Sequence, residues 1–457
     1  MGAANMAVSM GINLKYDLKN YLKLLSNNLF NQLKADEELS LGLHSEESEF
    51  VRFSKSKVRQ NTSVHQHELT LQFQAEHKFY KSTNMLTLNL AADTKHLQTV
   101  VDSIRKNLTL IDENPKYRKM LNNGITEVYK KSQRPTTADV IKKISVQFSD
   151  SDLTGLYCAG PIRQASVNSA GQFHYFENDT FFLDFSIYDD ARAAKGFYSE
   201  EKWMDTQFAN LACEIKKILT LLKKPRIKIK PGHYPVYLAP MALAEIIQIF
   251  NWRAVSRSAF EQGFAPLKKL HMRESLFSPK FSLTENNELG LNSHFNSSGE
   301  LSPKNLPIIE NGELKNFLIN AATAKEYNLI SNNADANFEA MRSIDVKPGT
   351  LDEKNILSQL GTGLFLTNLH YINWSDPQAA RLTGMTRFAC FWVENGEIIG
   401  PIHDLRFDDT LYNLFGAELV DLTEHVSTFV NTSTYQKRSL GGMRLPGALL
   451  KKMNFTL

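Results

Sequence analysis

"VYLAPMALAEIIQIFNW", residues 236–252, joins a short apolar run to a helical pattern through Pro240. Proline suits the first helical turn, where its missing N–H has no intrahelical partner to lose. Ala244, Ile247, Ile249 and Phe250 supply apolar bulk, while Glu245 and Gln248, three apart, share a polar edge. Strand-to-helix junctions often carry catalytic groups. Here one carboxylate stands without a histidine or second acid, so it lacks an acid–base partner. On its residues alone, the stretch reads as a packing helix.

Upstream of it, residues 16–35 carry Leu18, Leu22, Leu25, Leu29 and Leu33 on one stripe, which predicts an amphipathic helix. "EFVRFSKSKVRQ" and "TSVHQHELTLQFQ" read as strands linked near Asn61. A second helix is expected over 95–109, and 110–150 reads as loop and helix. "QFHYFENDTFFLDFSIY" reads as a hairpin turning at Glu177-Asn178-Asp179. A long helix follows over 200–222, ending where Pro225 and Pro231 start an extended linker.

Downstream, "IIENGELKNFL" and "FWVENGEIIGPI" each set Asn-Gly between apolar runs. That dipeptide is the strongest two-residue hairpin signal, because a type I′ turn needs positive φ at both central residues. The reading is α+β. N-terminal sandwich-like units with antiparallel strands precede a C-terminal antiparallel, barrel-like domain, with expected domains 1–120, 121–226 and 227–457.

Length and composition set the class. A chain of 457 residues, 42% hydrophobic and 22% charged, can bury sizeable cores. A net charge of +3 is too mild to indicate nucleic acid. Cys158, Cys213 and Cys390 are far apart and odd in number, so no complete disulfide framework is expected. No basic segment precedes the weakly apolar run near the N-terminus, and no apolar run reaches membrane-span length. A soluble cytoplasmic protein is expected.

P-loop, nucleophile-elbow and His-Glu-x-x-His patterns are absent from the sequence. His65-Gln66-His67 puts two imidazoles on one strand face, but no third ligand accompanies them, so they read as structural. The basic run Lys216–Lys230 reads as a solvated helix face followed by an alternating strand, Arg226, Lys228 and Lys230 outward. It lacks interleaved aromatic residues for base stacking.

"GHYPVYLAP", "LPIIENGELKNFLINAATAKEYNL", "GTGLFL", "FACFWVENGEIIGPIHDL" and "RLPGALLKKM", in this order, resemble the TldD/PmbA family. This bacterial family is described as peptidases or as modulators of gyrase. "ESEFVRFSKSKVRQ", "ASVNSAGQFHYF" and "ARAAKGFYSEEKW" extend the resemblance over most of the chain. The TldD branch implies a zinc site built from His-Glu-x-x-x-His and a C-terminal cysteine. Matching "YPVYLAP" to it puts Ala244 and Ile249 at the two histidine places and Glu245 at the glutamate, and no cysteine follows Cys390. A hydrocarbon side chain cannot donate a lone pair to zinc. The chain is therefore similar to the PmbA/TldE branch. Residues 295–299 and 381–386 depart from the family's acidic and Gly-rich segments.

The resemblance implies a non-catalytic subunit acting on unfolded peptides or small proteins. It would bind no cofactor of its own and pair with a TldD-type zinc subunit or with itself. Membrane and nucleic-acid partners are not expected. Two alternatives stand beside it. One is a metal-independent peptide- or nucleic-acid-binding modulator. The other is a peptidase with a rebuilt site, for which His233, Glu245 and His271 are the cleft candidates.

Overall fold

A computed structural model describes residues 17–114, 117–190, 192–335 and 337–456. Their contacts form two compact units. The first holds the described residues up to Ser45, Gln66–Glu127 and Gln164–Tyr175; the second holds Glu46–His65, Val128–Arg163 and everything from Phe176 on. The architecture is α+β, with mainly antiparallel sheets.

Helix α1 (Leu18–Phe30) begins at Asp17, whose carboxylate accepts the Asn20 N–H at 2.8 Å. The leucine stripe read from sequence is its buried face: Leu18, Leu22, Leu25 and Leu29. Strands β1 (Glu38–Ser54), β2 (Lys57–Ala75) and β3 (Lys78–Met85) follow. Helix α2 (Leu90–Asn107) starts five residues earlier than the pattern suggested, because Asn89 caps it by accepting the Ala92 N–H. In the first unit these helices cover Leu39, Leu41, Leu69, Leu71 and Phe73.

The remaining strands of this sheet are β4 (Ile125–Lys130), β5 (Asp152–Asn168), β6 (Phe173–Asp189) and β7 (Arg192–Tyr198). The order is β3-β2-β1-β5-β6-β4, with β7 on β6. In the second unit, helices α3 (Thr137–Gln147) and α4 (Asp205–Leu221) bury Val140, Ile144, Phe208 and Ile215 against Val51, Phe53, Phe181 and Phe185.

Three local readings are corrected here. The first strand pair turns at Lys55-Ser56, not near Asn61; both residues take positive φ without the usual Asn-Gly. Residues 173–189 form one strand, not a hairpin. The polar Asn178 and Asp179 are satisfied within it by the Gly290 carbonyl and Arg134, so they need no turn. Residues 110–150 contain the strand β4 as well as α3.

Strand β8 (Gly232–Leu238) and helix α5 (Pro240–Gln248) open the C-terminal region. Short helices α6 (Arg257–Glu261) and α7 (Lys268–His271) come next. Strands β9 (Leu283–Asn286), β10 (Asn305–Glu310), β11 (Glu313–Leu314) and β12 (Ser343–Val346) lead into β13 (Gly363–Asp376), β14 (Arg381–Glu394), β15 (Glu397–Pro401) and β16 (Arg406–Thr410). The chain ends with β17 (Leu419–Leu422), β18 (Ser427–Val430), β19 (Gly442–Leu445) and β20 (Ala448–Phe455).

Strands β13-β8-β20-β16-β14 pair in that order, and β13 also pairs with β14, which closes the expected barrel. A second sheet runs β11-β10-β9-β12-β19-β18. Both Asn-Gly turns form as read, with positive φ at Asn311 and Gly312 and at Asn395 and Gly396. The basic stretch makes one bridge, Ile227 to Ile402, rather than an alternating strand. No described helix is long and apolar enough to cross a membrane.

A buried carboxylate ties the first unit together. Asp93 accepts from the Tyr21 hydroxyl, from the Thr87 N–H at 3.0 Å and from the Thr87 hydroxyl at 2.8 Å. Burial and this neighbour hold the Tyr21 phenol protonated. Asp93→Ala leaves these donors unpaired and is expected to cost about 2–4 kcal/mol. Urea unfolding of wild type and variant measures it; a loss below about 0.5 kcal/mol contradicts the assignment.

Candidate functional site

Helix α5 enters from β8 through Ala239, whose extended backbone (ψ 159°) sets Pro240 at the first helical position. The Ala239 N–H donates to the Leu366 carbonyl at 2.9 Å, tying the junction to β13. Ala242, Leu243, Ile246 and Ile247 are fully buried against the barrel and the second sheet. That spacing leaves Met241, Ala244, Glu245 and Gln248 on the opposite face, where they line a cleft of about 700 Å³.

Of the positions singled out by sequence, Ala244 and Glu245 therefore meet the cleft, and Ile249 does not. The α-helix stops at Gln248, and Ile249 starts a single 3₁₀ turn. This turn points Ile249 into the core, where it is 2% exposed. His233 and His271 do not converge on Glu245, because neither is among the residues lining this cleft. His233 is exposed on β8 opposite Asn454. His271 is packed by Phe260 and Phe317, with ring centres 5.0 and 5.5 Å away. On β2, His65 is exposed, and His67 is buried with its Nδ1 2.8 Å from the Ser45 hydroxyl.

The zinc site of the TldD branch asks for imidazole and thiolate donors. The residues present do not fit it. A methyl group stands at 244, a core side chain at 249, and no group of three or more His, Cys, Asp or Glu in metal-holding arrangement occurs among the described residues. Glu245 is the carboxylate that α5 presents to the cleft. Burial raises its carboxyl above the ordinary range, and Arg387 and Lys195 oppose that rise.

The facing wall comes from the β13–β14 hairpin, whose register slips between Leu366 and Asn368 and again between His370 and Asn373. Such slips re-aim side chains. Phe388 and Tyr371 both take left-handed backbone there, with φ of 59° and 52°. For bulky residues this stores about 1–3 kcal/mol each, a cost concentrated at functional sites. Arg387 donates to His370 Nδ1 at 3.1 Å, and its guanidinium lies 4.7 Å from the Phe388 ring centre. Since arginine can only donate, His370 Nδ1 must be the acceptor, which fixes the neutral ring with its proton on Nε2. Burial and then Arg387 lower the His370 pKa, in agreement.

Two other cations reach the cleft. Lys195 pairs with Asp184. Arg342 donates to the Phe295 carbonyl at 3.1 Å and lies 4.0 Å from Asp335.

The third wall is a loop, 431–441, between β18 and β19. Its ends are tied by the Asn431 N–H to the Gly441 carbonyl at 2.9 Å. A Cβ on Gly442 would fall 2.4 Å from the Phe429 carbonyl oxygen, so only glycine fits where the loop re-enters the sheet. Arg438 pins the loop from behind. It is 2% exposed and donates to the Ser48 hydroxyl, the Gly160 carbonyl and Thr180, while its own N–H donates to Glu46 at 3.2 Å.

Arg387, His370 and Arg438 escaped the sequence reading. The only hint was the departure at 381–386, immediately before Arg387.

Residues 231–457 match the family of PmbA/TldA metallopeptidase C-terminal domains. No curated protein matches the chain. Three solved structures share its fold over 96% of its length. TldE from Thermococcus kodakarensis is similar at a TM-score of 0.76 and 13% identity, over 100% of that chain. A candidate modulator of a DNA gyrase from Thermotoga maritima is similar at 0.75 and 15%, also over 100% of that chain. A candidate modulator of DNA gyrase from Bacteroides thetaiotaomicron is similar at 0.74 and 15%, over 98% of that chain.

The opposed directions of 244 and 249 give a direct test. Ile249→His forces an imidazole into the core and is expected to cost about 3 kcal/mol. Ala244→His faces the cleft and is expected to cost about 1 kcal/mol or less. Urea denaturation of both variants decides; equal losses contradict the geometry.

Proposed function

We propose, for a chain whose C-terminal half belongs to the PmbA/TldD family, that it is a peptide-binding subunit without metal chemistry of its own. It works beside a TldD-type zinc subunit, supplying a cleft wall and a docking face for unfolded peptide. The observation that carries this reading is the α5 face itself. Where metal ligands would have to meet the cleft stand a methyl group and a lone glutamate, while Ile249 turns into the core. Without imidazole or thiolate donors on this face, Glu245 would have no metal-bound water to activate.

The cleft keeps features suited to an extended chain. β18 is an edge strand of the second sheet, paired on one side with β19, and its residues Phe429 and Val430 line the cleft. β7, at the edge of the first sheet, contributes Lys195 and Phe197. Edge strands offer backbone hydrogen bonds that take up extended peptide with little demand on its sequence. The likeness to TldE supports a subunit role.

The test is to purify the chain alone and together with a TldD-type subunit, then measure zinc and cleavage of an unstructured peptide. The lone chain is expected to carry substoichiometric zinc and to cleave nothing, and the pair to co-purify and cleave. Stoichiometric zinc with cleavage by the lone chain overturns the proposal, as does failure to associate.

A further inference from the structure

We propose that Arg387 is the anchoring cation of this cleft and takes a carboxylate carried by the bound chain, in the first place the C-terminal carboxylate of a peptide. The proposal rests on the peptide-binding reading above and names the group that fixes the peptide's end.

The three cations that line the cleft beside His370 are not equivalent. Lys195 is neutralised by Asp184, and Arg342 is held between the Phe295 carbonyl and Asp335. Arg387 has no carboxylate within ion-pair distance among the described residues, although it lines the same cleft and is exposed to it. It is nevertheless held in place. One N–H is spent on His370 Nδ1 and one face rests on the Phe388 ring. That leaves the rest of the planar fork free. A guanidinium with a free edge matches a carboxylate through two parallel N–H···O bonds, a geometry an ammonium cannot reproduce.

The backbone around it is built for this aim. The register slip next to Asn368, the partner of Arg387 across the hairpin, and the left-handed Phe388 together turn the side chain out of the regular ladder. Glu245 is the cleft's other charge without an ion pair among the described residues. Burial raises its carboxyl above the ordinary range, and Arg387 and Lys195 oppose that rise. A neutral His370 completes the arrangement, because a protonated ring would have no acceptor at Nδ1 and would release the guanidinium.

The experiment uses an N-terminally labelled Ala/Ser/Gly decapeptide without acidic residues, titrated by fluorescence anisotropy against the full chain. Three forms are compared: free acid, C-terminal amide, and amide with one internal glutamate. Wild type is expected to bind the acid about tenfold more tightly than the amide. In Arg387→Gln the two forms should bind alike. Arg387→Lys, which keeps the charge and loses the fork, should recover only a small part of the difference. If the internal glutamate restores affinity to the amide, the same site accepts side-chain carboxylates as well as chain ends. Equal binding of acid and amide by wild type overturns the anchor and leaves the peptide reading standing. A tenfold difference that survives Arg387→Gln also overturns it. If no form binds, both readings fall.

Discussion

Burial of one face of α5 decides what the cleft can contain. Ala242, Leu243, Ile246 and Ile247 are all fully enclosed, and each large side chain among them contributes about 1.5–3 kcal/mol by leaving water. Turning the helix by one residue would expose part of that set and press Glu245 into the core, where an unpaired carboxylate is far more costly. The helix is therefore locked in rotation. Which side chains meet the cleft, and which cannot, follows from hydrophobic packing on the opposite side.

Around that helix the cations have three different fates. Lys195 is cancelled by a neighbouring aspartate. Arg438 is withdrawn from water almost entirely and donates through its terminal nitrogens to hydroxyls and carbonyls of β1, β5 and β6. Buried charges of this kind add little net stability, yet breaking such a set costs several kcal/mol. Arg387 alone keeps a free edge toward the cleft. The cavity thus has directional polarity, with a cation on the hairpin wall and a carboxyl on the helix whose pKa burial raises.

Much of the fold was legible in the residues. Leucines at helical spacing predicted α1, the Asn-Gly pairs predicted two hairpins, and Pro240 predicted the start of α5. What was not legible depended on distant partners. Residues 173–189 bury side chains on both faces, so the alternation that marks a strand is missing, and the polar pair in the middle looks like a turn. The Lys55-Ser56 turn uses residues that seldom adopt positive φ. At the site, Glu245 was visible, but the direction of Ile249 was not, because it depends on a switch from α to 3₁₀ geometry after Gln248. Arg387 and His370 meet only because a register slip brings them together, and no local pattern encodes that.

The pinning of loop 431–441 also has a consequence for how the molecule is assembled. Arg438 and its acceptor Glu46 are separated by 392 positions. Contacts so distant along the chain are slow to form, because a very large loop must close before they repay it. During synthesis the barrel strands before β19 can pair while this contact is still out of reach. One side of the cavity is thus fastened only after residue 438 has been made, and a nascent chain lacks a finished binding surface until the segment beyond β18 has emerged.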